Sequence, residues 1–95
     1  MTESPELPPA PNVPVFNCVV LVSPRADDGL ITARAAELVG LTARAKTERE
    51  ALTQLVAAFK AVVARHHAAN EPIPWLQPPL SPAPGDSQRL IAVHL

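Results

Sequence analysis

Aromatic side chains are scarce in this 95-residue chain, which has two Phe, one Trp and no Tyr. That scarcity argues against a stacking platform for single-stranded nucleic acid, which needs interleaved exposed rings. A single cysteine, Cys18, excludes an intramolecular disulfide and fits a reducing compartment. Charge of one sign is also missing: 8 Lys+Arg against 9 Asp+Glu give a net charge of -1, with no general pull toward nucleic acid or an anionic membrane. No apolar run is long enough to span a bilayer. The first residues, MTESPELPPAPNVP, lack the basic and apolar regions of a signal peptide. A soluble, cytoplasmic protein without a membrane partner is the expectation.

What the chain does have is proline, 12 residues in all, gathered on either side of a strongly patterned middle. Residues 1–14 are rich in proline and poor in large apolar side chains, so they read as a flexible leader. Residues 15–95 read as a single small domain, with a second proline-rich stretch, a connector, at 71–86. The organising segment is Thr47 to Asn70. Thr47 and Glu50 form a capping-box pair that starts a helix, and Leu52, Leu55, Val56, Phe59, Val62 and Val63 recur at three-and-four spacing along one side. Glu48 and Glu50 lie near the positive end of the helix dipole, and Arg65, His66 and His67 near the negative end. Asn70 and Pro72 stop the helix.

A stripe this apolar must be covered, and the flanking segments supply strands to cover it. Val15 to Ser23 is dense in β-branched residues and apolar at nearly every position, as expected of a central strand covered on both faces. PRADDG, ending in the two-residue turn signal Asp28-Gly29, predicts a hairpin. Leu30 to Ala36 alternates, with Ile31, Ala33 and Ala35 on one face. After a turn at Gly40, Ala43 and Ala45 again share a face, so alanines should form the floor beneath the helix. Gln88 to Leu95 alternates as a closing strand. The helix should carry the chain across to it, right-handed where the strands are parallel. The fold class predicted is α+β, in the order β-β-β-α-β: an antiparallel sheet begun by three strands, one long amphipathic helix on one face, and a last strand completing the sheet. Trp75 is the one large anchor within the connector.

Asp27-Asp28-Gly29, Glu37-Leu38-Val39-Gly40, the helix start Thr47-Glu48-Arg49-Glu50-Ala51, Pro72-Ile73-Pro74 and the strand from Arg89 to Leu95 together resemble the HicB-like antitoxin domain of toxin-antitoxin systems. The resemblance covers roughly everything after Val15. It departs at Val39, where the family usually has proline, and at Leu30, where it usually has an aromatic. It implies a protein-interaction module that masks a small HicA-like ribonuclease toxin. Many members append a DNA-binding segment, and nothing here supplies one, so only the partner-binding domain is implied.

No catalytic, cofactor or metal site is predicted. His66 and His67 are adjacent on a helix and cannot chelate together as an i, i+4 pair. Cys18 reads as a buried small hydrophobe. No Gly-x-Ser-x-Gly elbow, phosphate loop or CxxC is present. Two surfaces remain as candidates for partner binding. Arg34, Arg44 and Lys46 would line the outward faces of the second and third strands, a basic stripe for an acidic partner or, in the alternative reading of an orphan regulatory domain, a nucleic-acid backbone. Ala57, Ala61, Ala64 and Ala68 form a small-residue line on the helix away from its core stripe. That line and the uncovered face of the first strand predict a homodimer or higher homo-oligomer.

Overall fold

The structure is a computed structural model and describes residues 14–95. The expected leader, 1–14, therefore lies outside the described residues except for Pro14. Four strands and one helix follow in the expected order: β1 (Val15–Val22), β2 (Ile31–Ala35), β3 (Thr42–Ala45), α1 (Glu48–Ala68) and β4 (Ser87–His94). They form a four-stranded sheet in the order β3-β2-β1-β4 with α1 on one face, so the fold is α+β as the patterning predicts.

Local chemistry sets the boundaries. Thr47 caps α1, its Oγ1 accepting from the Glu50 amide at 3.1 Å. At the other end Asn70 takes a left-handed φ of 59°, while the Asn70 and Glu71 amides donate back to the carbonyls of His67 and His66. This double closure is a Schellman motif, with asparagine where glycine is commonest. The β1–β2 hairpin differs from the expected two-residue turn. Ala26 N donates to Leu30 O and Gly29 N to Ala26 O, enclosing a three-residue loop, Asp27–Asp28–Gly29. Gly29 has the positive φ that ends such loops, whereas Asp28 does not, as a primed two-residue turn would require.

Packing follows from the alternation. Cys18, Val20 and Val22 of β1, Ala33 and Ala35 of β2, and Ala43 and Ala45 of β3 are buried beneath the buried helix residues Ala51, Leu55, Phe59 and Val63. The stripe is thus centred one position from where the bulky residues alone would place it. Ala51 belongs to its middle, and Leu52, Val56 and Val62 flank it half-buried. Alanine on the sheet leaves depth that the larger helix side chains fill, which is how a small domain reaches interior packing density. Trp75 closes one end between Phe16 and Phe59, with ring centroids 6.2 and 6.1 Å away.

The last strand completes the antiparallel sheet, as the patterning predicts, but it does so by a reversal after the helix. Feeding directly from α1, β4 would run parallel to β1. It runs antiparallel instead, with Val15 opposite His94 and Val22 opposite Ser87, so the handedness rule for parallel crossovers does not apply. The connector reverses the direction. Leu76 N donates to Glu37 O and Leu80 N to Ala36 O just beyond one end of β2, and Gly85 then packs beside Pro24 beyond the far end of β1. Residues 71–86, at about 3 Å each in extended form, reach farther than the roughly 26 Å length of an eight-residue strand.

The connector also passes over the face away from the helix. Leu21, 1% exposed, and Ala36 are buried but stand outside the core cluster under α1. Arg34, the register partner of Leu21, meets Asp86 at the end of the connector. The second face of β1 therefore gains part of its cover from the chain itself, where the sequence pointed to another subunit. A Pro84–Gly85 turn ends the connector, closed by Asp86 N donating to Ala83 O. Gly85 is needed twice there: its φ is 87°, and a Cβ would stand 3.2 Å from Pro24 Cγ.

Candidate functional site

The basic residues share a face, as the alternation implies. Arg34 lies opposite Thr42 and Arg44 opposite Thr32, all on the side away from α1. Their charges are largely answered within the chain. Arg34 Nη2 donates to Asp86 Oδ2, and Arg44 Nη2 to Asp28 Oδ2 at 2.5 Å. Arg25 Nη1 donates to the carbonyls of Gly29 and Lys46 at 2.7 and 2.6 Å, tying the hairpin loop to the end of β3. Lys46 itself is exposed. An incoming phosphate would have to displace two carboxylates, which weakens the stripe as a nucleic-acid surface.

On the helix, Ala57, Ala61 and Ala68 are exposed and Ala64 is half-buried. The line therefore faces solvent along most of its length, separate from the basic stripe on the opposite side of the sheet.

The described histidines lie apart from one another in their contacts. His66 Nδ1 lies 3.5 Å from Glu71 Oε1 at the end of α1, while His67 and His94 are exposed. Among the described residues no three His, Cys, Asp or Glu side chains are grouped to hold a metal ion, and no helix is long and apolar enough to cross a membrane. A shallow cleft of about 270 Å³ opens beside Trp75, lined by Val15, Phe16, Asn17, Glu37 and Gln77. Glu37 is its one ionisable side chain.

Cys18 is fully buried in the centre of β1. Burial first, and the Glu37 carboxylate second, push its thiol up from 9.0 to about 11. The fold thus favours the protonated thiol. That contribution is complete below pH 9 and is lost as the pH rises from 9 through 11, because the unfolded chain ionises first. Denaturant titrations should show stability falling by about 2 kcal/mol over that window, and Cys18→Ala should flatten the fall. At pH 8 the native thiol should resist iodoacetamide until the protein opens.

The two sheet edges differ. At one, β3 is only four residues long and carries Arg44, with Lys46 just beyond it. At the other, β4 is eight residues long, paired in unbroken register with β1, and free of lysine and proline. Leu90 is 66% and Val15 52% exposed on the face away from α1. The signal of this edge is present in QRLIAVHL, a closing strand with Arg89 as its only Lys or Arg and no gatekeeper residue.

No model of a known family, no curated protein and no solved structure matches this chain.

Proposed function

We propose that this chain is a non-enzymatic protein-interaction module of the HicB-like antitoxin type, binding and masking a small HicA-like toxin. What carries the reading is where the motifs behind it fall. Asp27–Asp28–Gly29 forms the β1–β2 loop, Glu37–Gly40 the turn into β3, Thr47 the helix cap, and Pro72–Ile73–Pro74 the exit from the helix. Each sits at an element boundary in the β-β-β-α-β order that the resemblance implies. The exposed Ala57, Ala61 and Ala68 give a toxin a surface that backbone can approach closely, with little side-chain entropy lost on contact. An orphan nucleic-acid-binding role through Arg34, Arg44 and Lys46 fits less well, since carboxylates hold both arginines.

Co-expression with a small ribonuclease encoded beside this chain tests the proposal. Growth should be restored and a stable complex should co-purify, and glutamate at Ala57 and Ala61 together should weaken that complex at least tenfold while leaving the melting temperature unchanged. Continued growth arrest with this chain in excess, and no complex recovered, would end the antitoxin reading.

A further inference from the structure

Hydrogen-bond parity shows which groups β4 leaves open. In an antiparallel ladder a residue directs its N–H and C=O to the same side, and the side alternates along the strand. Leu95 N donates to Pro14 O, in register with the β1–β4 pairing, so the odd-numbered residues of β4 bond to β1. The β1–β2 side agrees: Ala36 N donates to Val19 O and Ser23 N to Thr32 O, which turns the odd residues of β1 toward β2 and its even residues toward β4. The backbone groups of Gln88, Leu90, Ala92 and His94 therefore point outward, and among the described residues they meet no other strand.

Natural sheets guard such an edge with a bulge, a proline, a lysine or a very short strand. β4 has none of these. Its one arginine, Arg89, is held on the helix side by Glu48, with Nε 2.8 Å from Oε2. The β3 edge is short and basic, so head-to-tail stacking of β3 on β4 is disfavoured and growth into a filament is blocked. One guarded edge and one open edge permit closure about a two-fold axis. Residues 1–13 are a poor alternative occupant, since Pro5, Pro8, Pro9 and Pro11 have no N–H to donate to a ladder.

We propose that β4 pairs antiparallel with β4 of a second copy, centred on Ile91, to make one continuous sheet from two. This interface is independent of the toxin-binding reading and lies away from the alanine line. Faces match only when paired residue numbers sum to an even value, and centring on Ile91 uses the whole strand. Leu90 then bonds with the partner copy's Ala92, and Gln88 with its His94. Each Arg89 faces a valine, Val93 of the other copy, so like charges never oppose. The exposed Leu90 is covered by an alanine, which gives the 66% exposed side chain a place in the assembly.

Sedimentation equilibrium of the full chain tests this, with Ala92→Pro and Leu90→Lys as variants. Ala92 directs its N–H away from β1, so proline there spares the internal ladder, and circular dichroism with Trp75 fluorescence checks that each variant stays folded. The wild type should be a dimer and both folded variants should shift at least tenfold toward monomer. With Cys18→Ala as background, which removes the thiol lying opposite residue 91 within the same copy, Ile91→Cys should oxidise to a covalent dimer, because residues facing each other at a two-fold non-bonded position have the short Cα separation a disulfide needs. A wild type that remains monomeric at high concentration overturns the proposal, and so does a dimer that survives Ala92→Pro or fails to cross-link through Ile91→Cys.

Discussion

Replacing Phe59 with alanine is expected to remove about 3–5 kcal/mol of stability, a large share of what a domain of this size possesses. Phe59 is 1% exposed at the middle of the helix stripe, between Leu55 and Val63. Below it the sheet presents Ala33, Ala35, Ala43 and Ala45, which cannot reach up to fill a vacated ring. Beside it stands Trp75, whose far side rests against Phe16, so the loss of one ring loosens the other two. Urea titration followed by Trp75 fluorescence should show the folded baseline collapsing. Phe59→Leu, which retains most of the volume, should cost about 1 kcal/mol. A loss below about 1 kcal/mol for the alanine variant would mean that the helix does not rest on the sheet through this side chain.

Asp86→Ala is expected to have the next largest effect, about 2 kcal/mol. The Asp86 side chain is 3% exposed and accepts from both Arg34 and the Ala83 amide, the latter at 2.8 Å. Its removal strands a guanidinium that is 30% exposed and whose Nε already has no partner among the described residues. That partial exposure keeps the cost below the figure for a fully buried ion pair. Arg34→Met in the same chain should recover part of the loss, since a long apolar side chain needs no counter-charge. The coupling is read from a double-mutant cycle on denaturation midpoints. An unperturbed Asp86→Ala would show that the connector is not fastened there.

How much of this was legible in the sequence depends on the range of the interaction. The helix, its Thr47 cap and its end at Asn70 were readable because each is decided by side chains within one turn of backbone. The central strand and the alanine floor were readable because alternation survives in the residues themselves. The phase of the helix stripe differs slightly from the hydrophobic pattern, since Ala51 is fully buried yet too small to weigh in that pattern. The hairpin was legible as a turn, but its loop length was not, because Asp28-Gly29 suits two loop classes that only the bonds from Ala26 separate.

Contacts between distant residues were not legible. Arg34 and Asp86 lie 52 residues apart, and a lone acid after Pro84-Gly85 gives no indication of its partner. Alternation alone therefore shows a basic stripe but not the carboxylates that answer it. The direction of β4 was hidden for a related reason: proline marks the connector as extended but says nothing of which way it travels. The two surfaces proposed for partners are separate, with the alanines on α1 and the open backbone on β4 facing different surroundings.

The doubling back of the connector also bears on how the protein is made. β1 is produced first, yet half of its ladder is supplied by residues 65 to 79 positions later, from Val22 with Ser87 to Val15 with His94. Until that segment has left the ribosome, the middle of the sheet has an unsatisfied side rich in valine. Closing so wide a chain loop before its bonds can repay the entropy slows assembly. The nascent polypeptide is thus exposed to sticking, and to the attention of chaperones, until its closing strand has docked.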